Sequence, residues 1–267
     1  MITNDTLPRP RPSGVRALLV RPLAVKVPAV TAVFWLVKVL TTGMGEAASD
    51  YLGSVSLVLG GAVGVLGLAL ALGLQLRARS FHPARYWFAV AMVAVFGTMA
   101  ADVLHAIVGV PYLWSSLFWA AAVAALFLVW RRVEGTVSIH SITTTRRELF
   151  YWCTVLATFA LGTAAGDLTA IALGWGFLTS AVVFGLALLV PLLAWRLGAS
   201  PLVTFWTAYV LTRPFGASVA DWLGKPVAAG GLGWGDGPVA LGGCLAIAAL
   251  VALLARRVPT PEVAVRG

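Results

Sequence analysis

Asp50, Asp102, Asp167 and Asp221 each follow a Trp by 15 residues and a Gly by five, in stretches that are otherwise almost wholly apolar. The phrase is written four times, as Phe34-Trp35…Gly45…Asp50, Tyr86-Trp87…Gly97…Asp102, Tyr151-Trp152…Gly162…Asp167 and Phe205-Trp206…Gly216…Asp221. An ionisable side chain inside an apolar span is costly and usually marks an ion or substrate path. Carboxylates with Thr hydroxyls and Gly carbonyls nearby suit protons or hard cations such as Mg²⁺, Mn²⁺ or Ca²⁺, whereas Cu⁺ and Zn²⁺ favour thiolate or clustered imidazole. The four Asp are therefore the expected ion-binding residues and the candidate metal ligands. Glu46 joins them, because it lies one helical turn before Asp50 on the same face.

Other polar residues of the spans are read as support for this layer. Lys38 and Arg213 are two fixed positive charges against five carboxylates, and the excess negative charge calls for protons or a bound cation in a low-dielectric site. Each basic group is expected to pair with a carboxylate or carbonyl of another helix. Thr42 and Thr212 flank these positions, and Pro214 predicts a helix break just before Asp221, with Thr41-Thr42-Gly43-Met44-Gly45 as a weaker counterpart. His105, three residues beyond Asp102, is read as a hydrogen-bonding partner in preference to a metal ligand. Trp35, Trp87, Trp152 and Trp206 are expected to anchor a membrane interface, with inter-helix packing as the alternative. A structural alternative also exists for the Asp themselves, as helix caps or interhelical hydrogen-bond acceptors.

The elements that must position these residues follow from composition. Hydrophobic residues make up 60% of the 267, charged ones 11%, and the mean hydropathy is +0.93, which excludes an ordinary soluble domain. The expected fold is an all-α integral membrane protein with eight transmembrane helices, formed by four parallel two-helix repeats. Eight apolar spans are read near 29–49, 55–76, 86–106, 112–130, 150–172, 176–195, 203–223 and 237–255. The organisation is a basic cytoplasmic tail over 1–27, repeats over 28–80, 81–145, 146–199 and 200–256, and a C-terminal tail over 257–267. The first helix of each repeat carries the motif; the four lie around one centre or form a two-plus-two arrangement.

Sixteen of the 19 Lys and Arg fall in the tails or in the loops between repeats. By the positive-inside rule both termini and those loops are cytoplasmic. The net charge of +9 thus reflects topology, and nucleic acid is not an expected partner. Cys153 and Cys244 both lie within spans and are read as packing residues.

With its Trp-x(9)-Gly-x(4)-Asp phrase repeated in register and the fuller stretches Phe34–Thr42 and Gly230-Gly231-Leu232-Gly233, the chain resembles a family of bacterial multi-spanning membrane proteins. Those proteins consist of four tandem repeats of unknown function, each with two transmembrane regions and a characteristic Trp. The resemblance covers about 26–256 and implies architecture and an inner-membrane location, but no activity. Function is then expected from the charges: a secondary transporter for a hard metal cation or a proton-coupled small cation, with a non-transporting scaffold or sensor as the alternative. The sequence carries no catalytic grouping, Walker loop or metalloprotease motif, so neither enzyme activity nor a cofactor is expected. Its partners are the lipid bilayer and a small substrate, and an oligomer is compatible with the pattern.

Overall fold

The computed structural model describes residues 25–257, and these are all-α, with eight helices and no strand among them. The helices are α1 (Ala32–Val55), α2 (Leu57–Arg77), α3 (Pro83–Asp102), α4 (Tyr112–Glu134), α5 (Thr145–Asp167), α6 (Phe177–Ala187 and Leu189–Arg196), α7 (Pro201–Gly224) and α8 (Asp236–Arg257). Six of them, α2 to α6 and α8, are long and apolar enough to cross a membrane, as expected of a multi-pass membrane protein. The other two, α1 and α7, carry the charges of Lys38, Glu46 and Asp50 and of Arg213 and Asp221. Most of the two tails falls outside the described residues.

Local chemistry sets the helix ends. Ser56 separates α1 from α2 by one extended residue; its hydroxyl accepts from Leu59 N–H at 3.3 Å while its own N–H donates to the Leu52 carbonyl, a side-chain N-cap joined to a closing bond. Thr31 and Thr144 cap α1 and α5 in the same way. Pro83 and Pro201 open α3 and α7, where a missing N–H costs nothing. α6 is interrupted at Leu188, since Pro191 has no N–H to offer the Ala187 carbonyl.

The odd-numbered helices form a closed ring, with α1 packed on α3, α3 on α5, α5 on α7 and α7 on α1. Each even-numbered helix packs most heavily on the motif helix of the following repeat: α2 on α3, α4 on α5, α6 on α7, and α8 back on α1. The repeats are thereby stitched to one another in a circle, which decides for four helices around one centre and against a two-plus-two arrangement. The even helices turn residues such as Val58, Leu66, Leu193 and Leu245 outward, an apolar perimeter too large for a soluble monomer.

The recurrent Gly explains how the ring closes. A Cβ added at Gly45 would lie 2.9 Å from the Ala94 carbonyl carbon, at Gly97 2.6 Å from Phe159 Cβ, at Gly162 2.5 Å from Arg213 Cβ, and at Gly216 2.7 Å from Thr42 Cβ. In every case the Gly ten residues after one Trp meets the residue seven after the next repeat's Trp. Small residues let helix backbones approach in this way where lipid supplies no hydrophobic drive. The expected break at Pro214 is not found: α7 continues from Pro201 to Gly224, and α1 is likewise unbroken through Gly43 and Gly45. The absence of a side chain at Gly162 leaves room for the Pro214 ring, which would lie 3.1 Å from a Cβ there.

Candidate functional site

Position eleven after the Trp is Glu46, Thr98, Thr163 and Ala217 in the four repeats, and the ring brings the first three together. Thr98 and Thr163 donate to Glu46 Oε2 at 3.2 and 3.0 Å. Arg213, fully buried, reaches the same oxygen with Nη2 at 2.9 Å, donates to the Thr98 and Thr163 hydroxyls, and gives Nη1 to the Thr42 carbonyl at 3.0 Å. Four helices are thus tied at one point by a desolvated ion pair in which Glu46 Oε2 and both Arg213 Nη atoms find partners, which offsets part of the cost of burying such a pair. Beneath it the axis is aromatic. Lys38 Nζ lies 4.2 Å from the Phe159 ring centre and 4.3 Å from that of Tyr209, while the hydroxyls of Tyr86 and Tyr151 are 2.6 Å apart. That end is closed further by Lys26, which pairs with Glu148 and donates to the Ala78 carbonyl at 3.0 Å, and by Gln75, which donates to Glu148 at 3.0 Å.

On the other side of this hub lies the Asp layer. Oxygens of Glu46, Asp50 and Asp221 lie within 4.8 Å of one another, and Asp102 and Asp167 are within electrostatic reach of Glu46 and Asp50. Asp221 is buried, whereas Asp50, Asp102 and Asp167 remain partly exposed. Asp102 and Asp167 make no ion pair or side-chain hydrogen bond among the described residues. Directly after each of them the helix widens into a π turn, Val103–Ile107 and Leu168–Ala172, a distortion frequent at functional sites. The result is a layer of carboxylates, three of them partly exposed, next to the Arg213–Glu46 hub, hereafter the cup.

Lys225, just past the end of α7, enters the cup from the rim. Its Nζ is 2.5 Å from Asp50 Oδ2, 3.3 Å from Asp236 Oδ2 and 3.8 Å from Asp221 Oδ1. Burial opposes its charge, but Asp50, Asp221 and Asp236 outweigh that and raise its pKa above the ordinary lysine value.

A family profile described as a Repeat of Unknown Function (DUF347) matches four stretches of the chain, residues 33–81, 85–136, 150–198 and 204–259. The chain belongs to the DUF347 family. No curated protein and no solved structure matches it. Within its DUF347 repeats the position before the Trp and the positions three, seven, ten, eleven and fifteen after it account for the whole central axis, from the tyrosine pair to the cup.

Several expectations change at this level of detail. Trp87, Trp152 and Trp206 are buried and Trp35 is partly so; they pack between helices of the DUF347 ring instead of anchoring a belt. Trp206 Nε1 donates to the Val137 carbonyl at 3.0 Å. Arg213 pairs across helices as expected, but Lys38 meets aromatic faces and, among the described residues, no carboxylate or carbonyl, because Arg213 has taken Glu46. Thr212 donates its hydroxyl to the Tyr209 carbonyl of its own helix, and Thr42 donates to Val39 and, across helices, to the Thr212 carbonyl at 3.3 Å. His105 stacks on Tyr112 with ring centres 3.5 Å apart and its Nδ1 is 2.8 Å from the Val110 carbonyl oxygen, which braces the π turn after Asp102.

The sequence reading missed Thr98, Thr163, Lys225 and Asp236. The two Thr were findable, since they share the repeat position of Glu46. A groove of about 900 Å³ lined by Trp35, Val39, Pro191, Trp195, Phe205 and Thr212 lies on the outer flank of α1 and α7, away from the carboxylates.

Proposed function

We propose that this protein is a secondary carrier of a small cation, and no enzyme, with the Asp ring as its binding cup. In this reading all eight helices span a bacterial inner membrane, both termini are cytoplasmic, and the cup opens to the opposite side. Charged α1 and α7 cross as members of the central ring, their carboxylates turned from lipid.

One observation carries the reading. Asp50 and Asp221 bring oxygens within 4.8 Å of each other, and the repeat-equivalent Asp102 and Asp167, partly exposed, have no protein cation of their own among the described residues. Lys38, Arg213 and Lys225 stand against Glu46, Asp50, Asp102, Asp167, Asp221 and Asp236, so the axis stays net negative and is completed by a bound cation or by protons. Arg213 and two Thr occupy Glu46 Oε2, so the cation-facing set is taken as Asp50, Asp102, Asp167 and Asp221, with Glu46 at its edge. Partly exposed carboxylates beside a buried hub fit one end-state in alternating access, with the site reached from one side.

The test is flux of a cation panel into proteoliposomes, with wild-type protein beside the four Asp→Asn variants. Asn keeps size and hydrogen bonding and deletes charge. The carrier reading expects at least one cation to move with wild type and to stop with Asp102→Asn or Asp167→Asn. A second reading, a cation-sensing membrane protein, is favoured by the dryness of the hub and of the aromatic layer beneath it. It expects saturable cation binding that the Asn variants lose, with no flux from wild type.

A further inference from the structure

Lys225 is held in the cup by its own loop. Beyond α7 the chain folds back on the last turn of that helix: Leu232 N–H donates to the Trp222 carbonyl at 2.6 Å, Trp234 to Leu223 at 3.1 Å, Gly235 to Gly224 at 3.0 Å, and Gly233 to Lys225 itself at 2.9 Å. Gly230, Gly233 and Gly235 have φ of +88°, +75° and +86°, and a Cβ on Gly231 would lie 2.7 Å from the Lys225 carbonyl carbon. The Gly230-Gly231-Leu232-Gly233 stretch is therefore glycine-rich because it bends left-handed and lies against the residue it returns to. This fold-back fixes the Lys225 backbone and brings Asp236, the first residue of α8, over the same ammonium. The lysine stem, 25% exposed, keeps the freedom to swing outward.

An ammonium has three donors, and here it faces three carboxylates at 2.5, 3.3 and 3.8 Å. The group already seated between them is a primary ammonium, so the subsite accepts a primary ammonium ion. We propose that Lys225 is a tethered surrogate cation: it occupies the subsite between Asp50, Asp221 and Asp236, and a small primary ammonium ion or similar monovalent cation enters by displacing it. This rests on the cup being a cation site and adds its regulation: the site is self-occupied, and entry is an exchange. The arrangement neutralises the rim when ligand is absent and leaves Asp102 and Asp167, unpaired among the described residues, to draw the incoming cation past the lysine. A side chain on a short tether competes at an effective concentration of about millimolar or above, which weakens ligand binding without any change in the carboxylates.

The test is methylammonium titration of the purified full-length protein in nanodiscs, read as thermal stabilisation, for wild type, Lys225→Ala and Lys225→Gln. Both variants should be stabilised saturably, at a methylammonium concentration lower than wild type requires by about tenfold or more, and Lys225→Arg should behave as wild type. Equal responses from wild type and both variants would overturn the proposal, as would variants that stay unfolded even with methylammonium present. Rescue of both variants with no flux from wild type leaves the surrogate in place and removes the carrier. Flux from wild type with no change of affinity in the variants does the reverse.

Discussion

Glu46 and Asp50 are one turn apart on α1, about 6 Å along the axis, yet they belong to regions built on opposite principles. At the hub the four repeats supply different residues, Glu46, Thr98, Thr163 and an Arg213 offset by four residues from the small Ala217, and the differences satisfy one another. At the cup the four repeats supply the same residue, and identical charges at one level cannot satisfy one another. Divergence of a repeated position has produced a sealed structural knot, and retention of a repeated position has produced a site that needs something from outside. Only the second region is organised for a ligand.

The largest effect that separates them is expected at the hub. Glu46→Gln leaves the Arg213 guanidinium buried without its counter-ion and should cost about 3–5 kcal/mol, measured by unfolding in mixed micelles. Joining it to Arg213→Met should recover much of that loss, because no orphaned charge remains. A mild effect of Glu46→Gln alone would mean the hub is wetter than its burial indicates.

The Gly ring comes next. Gly97→Ala drives a methyl group onto Phe159 Cβ, which cannot swing away as a flexible side-chain end would, and should cost about 1–3 kcal/mol. Gly53→Ala, in open space on the same kind of helix, should be neutral or gain up to about 1 kcal/mol. Thermal unfolding of the pair checks whether the motif Gly acts through contact with the next repeat.

At the rim a smaller and pH-dependent effect is expected. The folded-state pKa of Lys225 is raised, so its contribution is complete below the unfolded lysine value of about 10.4 and is lost only as pH rises beyond it. The Tm difference between wild type and Lys225→Gln should hold constant from about pH 7.5 to about pH 9 and shrink at higher pH. A difference that fades within that interval would mean the carboxylates do not hold the ammonium.

Much of this was legible in the sequence because a repeat fixes register. The Trp-to-Asp interval of 15 residues gives all four Asp the same position on their motif helices. The cyclic order of packing was not legible, since α8 returning to α1 is a long-range contact that no local pattern encodes. Lys225 and Asp236 were missed because they stand outside the repeat phrase, in a loop whose fold-back depends on three left-handed glycines. The Trp were misassigned for a related reason: an aromatic near a span end reads as an interface anchor, and only the ring shows that Trp87, Trp152 and Trp206 are enclosed by neighbouring helices. Pro214 lies inside an unbroken helix, which a single-span reading of proline does not anticipate.

The division between hub and cup is tested most directly on the double variant Asp102→Asn with Asp167→Asn, by measuring saturable cation binding and Tm on the same preparation. Removing two unpaired, mutually repelling carboxylates should change stability by no more than about 1 kcal/mol, and the account predicts a Tm close to wild type with binding abolished. A collapse in Tm like that of Glu46→Gln, or unchanged binding of every cation that wild type takes up, would contradict it.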